Sequence, residues 1–154
     1  MHQLPIWRPD VTVAAVVPRH NRLLFVAERV RGTLVLNQPA GHLEHNETLL
    51  DAVVRETLEE TRWKVQPAHL LGVYQWQSPV DGIGFLRFAF VAEALADHPE
   101  RALDDGIEQV LWLNRAELLD CGIPLRSPLV LACVDDFLAG RQHAADLCRW
   151  VGTP

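Results

Sequence analysis

Apolar runs and alternating patterns along the chain predict five strands. β-branched and apolar residues cluster between polar turns, which is typical of strands. The first two runs are separated by Arg19–Asn21 and the next two by Ser78–Gly82, and both separators have turn chemistry. The predicted strands are Val11–Val17, Arg22–Glu28, His69–Gln77, Gly84–Glu93 and Val110–Leu113.

Three helices are predicted from capping signals. Thr48 is followed three residues later by Asp51, Asn114 is followed by Glu117 at the same spacing, and Ser127 precedes a first-turn proline. The predicted helices run from Thr48 to about Thr61, from Asn114 to about Leu119, and from Ser127 to a stop at Gly140. Strands before, between and after helices favour an α/β fold with a mixed sheet covered by helices.

The length and composition favour one globular domain. The chain has 154 residues, of which 49% are hydrophobic and 22% charged, and it contains no internal repeat or linker-like segment. We therefore expect a single domain over residues 1–154. The longest apolar run ends at Pro18 and is far shorter than the roughly 20 residues of a membrane span. Met1–Arg8 lacks the pattern of a secretory signal.

The net charge and the cysteine content restrict the expected partners and the expected cellular compartment. A net charge of −6 argues against a stable nucleic-acid partner, and the shortness of the longest apolar run leaves no expected membrane partner. Phosphate recognition would instead need a few arginines or a metal. Cys121, Cys133 and Cys148 lack the spacing of a zinc or redox motif, so we expect free thiols and a cytoplasmic protein.

Three carboxylates share one face of the first predicted helix. At about 100° per residue, Glu56, Glu59 and Glu60 lie together, opposite a core stripe that includes Val54 and Leu58. Like charges at this spacing repel one another and destabilise the helix. Mg²⁺ prefers oxygen ligands and retains positions for water and phosphate. The face is therefore either a solvated acidic surface or part of a metal site.

The spacing around these carboxylates resembles the signature of the Nudix hydrolases. Gly41, five residues, Glu47, seven residues, Arg55-Glu56, two residues and Glu59-Glu60 follow that pattern. The resemblance implies an α/β/α sandwich in which a loop–helix–loop carries the site. Two positions depart from the family pattern. Thr57 replaces an apolar residue, and Arg62 replaces a glycine, so we expect the helix to end differently and to continue through Trp63.

Further segments resemble a subgroup of this family, the NudJ-type phosphatases. These segments are Asn37–Glu44, Tyr74–Trp76, Phe85–Phe88 and Leu125–Val130. The resemblance implies magnesium-dependent hydrolysis of phosphoanhydride bonds in nucleoside di- and triphosphates and a thiamine-precursor pyrophosphate, with release of phosphate. Mn²⁺ is a possible substitute for Mg²⁺. Monomer and homodimer remain open.

The family pattern also implies roles for the motif residues. Glu56 and Glu60 should be metal ligands, together with the backbone carbonyl of Ala40 beside Gly41. Glu59 should be a further ligand or should position the attacking water.

Arg55, which we include in the catalytic set, should bridge Glu47 and a helix carboxylate and so hold the loop against the helix. The alternative for this pair is a surface ion pair of little energetic value. For the acid near the attacking water, we predict Glu108, with Asp104 and Asp105 behind it. Capping or solvation would explain any of these three acids equally well.

Candidate substrate contacts lie outside the motif. Arg87 either points to solvent or reaches the terminal phosphate. Trp76 and Tyr74 could stack on a ring, although aromatic residues at this spacing also serve as packing. Gln38 and Ser127 are further candidate polar contacts.

Other functions remain possible at this stage. His42 and His45 lack the spacing of a zinc site, so we assign them to loop packing. Within the same fold, the substrate could be ADP-ribose, a dinucleotide polyphosphate or an RNA cap. A non-catalytic ligand sensor would have lost a motif carboxylate, and none is missing.

Overall fold

The computed structural model describes residues 5–153, which form eight strands and three α-helices. A single turn of 3-10 helix, Ala145–Leu147, lies near the C-terminus. The strands are β1 Asp10–Val16, β2 Pro18–Arg19, β3 Arg22–Val30, β4 Thr33–Asn37, β5 Ala40–His42, β6 Trp63–Gln77, β7 Gly84–Asp97 and β8 Ile107–Leu113. The helices are α1 Leu49–Thr61, α2 Arg115–Asp120 and α3 Pro128–Leu138.

All the predicted elements are present, but the sequence reading missed part of the strand content. It did not predict β2, β4 and β5, because these strands are short, β2 overlaps the predicted turn and β5 contains a glycine. β6 begins at Trp63 rather than His69, and β7 ends at Asp97 rather than Glu93. The two long strands pair along their whole length, and this tertiary pairing extends them past the segments with clear strand patterns.

The strands form two four-stranded sheets. The first has the order β5-β1-β7-β6 and is mixed, because β1 runs parallel to β7 and antiparallel to β5. The second contains β2, β3 and β4, with β8 paired to β3. The mixed sheet and the flanking helices confirm the predicted α/β class.

Strand β1 contributes to hydrophobic cores on both of its faces. Val13 and Ala15 pack in a core with Val53 of α1, whereas Ala14 and Val16 pack in a core with residues of α3, including Val130. This alternation follows from the two-residue period of a strand. It also determines the position of Thr12, which precedes Val13 and therefore shares the α3 side with Ala14.

Helix α1 ends at Thr61, so the prediction that it would continue through Trp63 is wrong. Arg62 adopts the left-handed conformation, with φ of 67°, and its N–H donates to the Leu58 carbonyl oxygen over 2.9 Å. This is the termination that a glycine would provide with less strain. Thr57 is buried and its hydroxyl donates to the Val53 carbonyl oxygen, so the other departure is accommodated within the helix.

The helix caps agree with the sequence signals. Thr48 and Ser127 accept bonds from the first-turn backbone of α1 and α3, and Asn114 forms a full capping box with Glu117. No α-helix among residues 5–153 is long and apolar enough to cross a membrane. The three cysteines are free thiols.

Candidate active site

A cavity of about 410 Å³ lies where β4 ends and β5 begins. Its wall includes the carboxylates of Glu56 and Glu60 from α1 and the guanidinium group of Arg87 from β7. Ser127, the N-cap of α3, also lines it. Three of the four predicted metal ligands, Ala40, Glu56 and Glu60, thus line one cavity with several predicted substrate contacts. The fourth predicted ligand, Glu59, and the predicted contact Gln38 do not line it.

Glu60 is a buried carboxyl group that makes no ion pair among the described residues. The residue is only 8% exposed, and its Oε2 accepts a hydrogen bond from the Ala40 N–H over 3.0 Å. Burial raises the pKa of Glu60 to about 9, although the bond from Ala40 opposes the shift. A cation in the cavity would favour the ionised form of this group.

Glu56 packs directly against Gly41. A Cβ on residue 41 would overlap the Glu56 carboxyl group, so any larger residue here would displace that carboxylate. Burial raises the pKa of Glu56, and the hydrogen bond from Arg55 opposes this shift. The close approach brings a backbone segment and a carboxylate together on the cavity wall.

Arg55 joins the loop to the helix. Its Nε and Nη2 donate to both carboxylate oxygens of Glu47 over 2.9 and 2.6 Å, and Nη1 donates to Glu56 over 2.8 Å. Nη1 also contacts Glu59 at 3.2 Å, and Nη2 donates to the His42 carbonyl oxygen. This two-oxygen contact is partly buried, unlike the exposed surface pair that was the alternative.

Arg87 is buried rather than directed to solvent, so the solvent alternative is wrong. Arg87 is only 5% exposed. Its Nη1 donates to Gln38 Oε1 over 3.1 Å, and its Nη2 donates to Asn37 Oδ1 over 3.3 Å. Gln38 is itself buried and donates to the Val130 carbonyl oxygen of α3 over 2.8 Å. Arg87 is therefore held between β4, β7 and α3.

An aromatic pair forms another part of the cavity wall. Trp76 stacks on Phe85 across β6 and β7, with 5.7 Å between ring centroids and 23° between planes. Tyr74 does not line this cavity, since its hydroxyl donates to Asp136 of α3 over 2.7 Å. Of the two aromatic residues predicted to contact a ring, only Trp76 faces the cavity.

A match to a family model decides the identity of the fold and its chemistry. The NUDIX domain model matches residues 7–132. The chain belongs to the Nudix hydrolase family. It is 38% identical to the phosphatase NudJ of Escherichia coli strain K12 over 92% of each chain.

Solved structures agree with this assignment. A Nudix hydrolase from Nitrosomonas europaea is 39% identical, with a TM-score of 0.90 over 94% of this chain and 98% of that one. A MutT Nudix hydrolase from Burkholderia pseudomallei is 24% identical, with a TM-score of 0.71 over 84% of this chain and 98% of that one, and shares the fold. The protein is thus a Nudix hydrolase that acts on phosphoanhydrides and is similar to the NudJ phosphatases.

The donor set of this Nudix hydrolase fits a magnesium ion that retains other ligands. Within residues 5–153, no three His, Cys, Asp or Glu side chains are grouped closely enough to hold a metal alone. Glu56 and Glu60 nevertheless line one cavity with Ala40. Mg²⁺ in phosphate-processing sites usually takes one or two carboxylates and completes its shell with water and substrate oxygens. The buried carboxyl group of Glu60, which lacks a cationic partner, is consistent with that arrangement.

The structure does not bring Glu108 to the cavity. Glu108 is exposed and accepts a 2.6 Å bond from Arg29 on the neighbouring strand, which lowers the pKa of its carboxyl group. Asp104 is better placed. Its N–H donates to the Glu59 carbonyl oxygen over 3.1 Å, and its charge raises the pKa of both Glu56 and Glu60. Among the acids of this segment, Asp104 therefore lies within electrostatic reach of the motif.

The cavity is also lined by residues to which sequence reasoning assigned no role, among them Glu28, Asn37, Arg126 and Thr12. Glu28 ends an apolar stretch of β3, and its carboxylate accepts a bond from Asn37 over 3.3 Å. Arg126 lies 3.6 Å from the same carboxylate. Thr12 lines the cavity from β1. The only sequence signal for Glu28 was a charge in an apolar strand, whereas Asn37 and Arg126 occurred within the segments resembling the subgroup.

Proposed function

We propose that this Nudix hydrolase is magnesium-dependent and hydrolyses phosphoanhydride bonds in nucleoside di- and triphosphates and related small pyrophosphates. A thiamine-precursor pyrophosphate is included in this substrate class, and phosphate is the released product. We also propose that Mn²⁺ can replace Mg²⁺ in supporting activity. We also propose cytoplasmic activity in a reducing environment, since all three cysteines are free.

One observation carries the proposal. The buried carboxyl group of Glu60 and the partly buried carboxyl group of Glu56 share a cavity with the buried cation Arg87. Carboxylates suit a hard cation, and a guanidinium group suits phosphate oxygens. A substrate that brings both magnesium and phosphate would satisfy the two kinds of group together.

The proposed ligands are Glu56, Glu60 and the carbonyl oxygen of Ala40. When bound there, magnesium supplies Lewis-acid polarisation of the phosphoanhydride and neutralises charge on the departing phosphate. Arg55 keeps Glu56 and the Glu47 loop in fixed relative positions through its hydrogen bonds. Gly41 allows Glu56 to approach the backbone closely.

Glu59 is our candidate for orienting the attacking water and accepting its proton. It is one turn from Arg55, is more exposed than Glu56, and has a single 3.2 Å contact to the guanidinium group. It is therefore less constrained than the proposed ligands. Asp104, whose backbone is bonded to Glu59, is the second candidate.

The test is phosphate release from a substrate panel in Mg²⁺, in Mn²⁺ and in a chelator. The panel contains nucleoside di- and triphosphates, a pyrimidine pyrophosphate, ADP-ribose and a dinucleotide polyphosphate. We expect metal-dependent release from several of the first compounds, with rates that differ by tens of fold. Preference for ADP-ribose or the dinucleotide would contradict the substrate class, and turnover in the chelator would contradict the metal requirement.

Glu60→Gln tests the proposed role of Glu60 as a ligand. The substitution preserves the size of the side chain and an acceptor for the Ala40 N–H. Turnover should fall on the order of 10²-fold or more, the scale of losing one preorganised electrostatic group. Near-normal turnover at saturating magnesium would exclude Glu60 as a ligand.

A further inference from the structure

Two buried polar atoms in the cavity wall have no hydrogen-bond partner among residues 5–153. They are Oγ1 of Thr12 and Nε of Arg87. The two residues lie opposite each other in the register of the parallel strands β1 and β7, and both line the cavity. Thr12 is 7% exposed and Arg87 is 5% exposed. Buried polar groups are nearly always paired in native proteins, so two neighbouring exceptions in one cavity indicate a ligand.

The positive charge of Arg87 is compensated only at longer range, by the Glu28 carboxylate. Its two hydrogen-bond acceptors, Gln38 and Asn37, are neutral amides. Among residues 5–153, it makes no ion pair with a carboxylate. Burial raises the pKa of the neighbouring Cys133 thiol, which favours its neutral form. Burial lowers the pKa of Arg87 even though Glu28 opposes the shift, so an anion bound at hydrogen-bond distance would stabilise the charged form.

The amides that hold Arg87 are fixed by their own donor groups. Gln38 donates to the Val130 carbonyl oxygen over 2.8 Å, and Asn37 donates to Glu28 over 3.3 Å. Each amide therefore presents its oxygen to the guanidinium group. This arrangement fixes Nη1 and Nη2 while leaving the Nε–H without an acceptor.

We propose that Thr12 and Arg87 form an anion subsite that binds the terminal phosphate of the substrate. This subsite rests on the proposed function for the identity of its ligand. An N–H and an O–H donor suit phosphate oxygens, which only accept, and a guanidinium group adds charge. The nearby Trp76–Phe85 pair provides a separate, apolar contact for the ring of the substrate.

Inorganic phosphate is the probe, and its binding to metal-free protein in a chelator is measured by calorimetry. Wild type should bind phosphate. Arg87→Gln should weaken binding at least about tenfold, as expected for the loss of a charged hydrogen bond. Thr12→Val, which preserves side-chain shape, should weaken it about fivefold. Arg115→Gln, which removes an equal charge from an exposed pair with Asp135, should stay within about twofold.

Several outcomes would overturn the subsite. The first is that the wild type does not bind phosphate. The second is that Arg87→Gln leaves the affinity for phosphate unchanged. The third is that Arg115→Gln weakens phosphate binding as much as Arg87→Gln does. Arg87-dependent binding of uridine without binding of phosphate would assign the pair to the ring instead. If Arg87→Gln fails to fold, Thr12→Val decides the question alone. Because no metal or turnover is involved, this result is independent of the substrate panel.

Discussion

Gly41 lies so close to Glu56 that a Cβ at residue 41 would overlap the carboxyl group. Glu56 is also bonded to Arg55, which in turn holds Glu47. One glycine thus determines the position of a carboxylate that belongs to a network linking loop and helix. Its requirement for glycine comes from the neighbouring side chain, since its backbone is not left-handed.

We predict that Gly41→Ala displaces Glu56 and weakens magnesium affinity at least about tenfold, the effect seen when a group that orients a metal ligand is lost. Magnesium titration of activity measures the change. Gly82→Ala is the control, because Gly82 has positive φ and open space around its Cα. That variant should lose about 1 kcal/mol of stability from backbone strain but retain its magnesium affinity. Equal magnesium affinities in both variants would contradict the role of Gly41.

The acid next to the motif can be tested by two neutral variants. Asp104→Asn should lower turnover more than Glu108→Gln, because only Asp104 acts electrostatically on Glu56 and Glu60. Glu108→Gln removes an exposed pair with Arg29 and should leave kcat within about twofold. A larger loss from Glu108→Gln would restore the assignment made from sequence.

The raised pKa of Glu60 predicts a pH-dependent stability of the metal-free enzyme. Its pKa is about 9 when folded and should be near 4.3 when unfolded. Between these values the folded state holds a proton that the unfolded state has released, so this group makes stability fall as pH rises. Denaturant unfolding in a chelator should show wild type losing stability relative to Glu60→Gln, by up to about 1.4 kcal/mol per pH unit. Parallel pH profiles for the two proteins would refute the shift.

Arg62 provides a test of backbone strain outside the cavity. Its φ of 67° is costly for any residue with a Cβ. Arg62→Gly should therefore be more stable than Arg62→Ala by about 1 kcal/mol, since both lose the same side-chain contacts. Thermal unfolding measures the difference, and turnover should be retained in both. Equal stabilities would indicate that the helix end relaxes in solution.

Trp76 should discriminate between substrates through their rings. Trp76→Ala should raise the KM for nucleotides about tenfold while changing that for inorganic tripolyphosphate little, because stacking is worth about 1–3 kcal/mol per base. Trp76→Phe retains a ring against Phe85 and should have a smaller effect. If both substrates are affected equally, Trp76 serves only as packing.

The sequence was most informative where the chemistry is local. Glu56, Glu59 and Glu60 lie within one helix, so their spacing alone predicts a shared face. The roles of Gly41 and Arg55 followed from the resemblance to the family. Glu28 and Arg126 could not be placed in this way, because their 3.6 Å contact joins distant segments. The left-handed conformation of Arg62 was also missed, since the backbone bond to Leu58 outweighs the preference of a side chain at that position.

The burial of Arg87 shows a second limit on what strand alternation can predict from the sequence. The alternation Phe85-Leu86-Arg87 shows which residues share a face but not which face is covered. A half-exposed sheet would leave such an arginine in water, and the solvent alternative assumed that arrangement. Here α3 and the end of β4 cover the face, through Val130, Gln38 and Asn37.

The alternation of β1 links correct strand register to ligand binding. Val13 and Ala15 belong to one core, Ala14 and Val16 to the other, and Thr12 lies opposite Arg87. A slip of one residue against β7 would exchange the two cores and turn Thr12 away from the cavity. The hydrophobic effect that rejects a misregistered strand during folding therefore also places the hydroxyl group. In this enzyme, one strand register therefore determines both the packing of the two cores and the geometry of the proposed phosphate subsite.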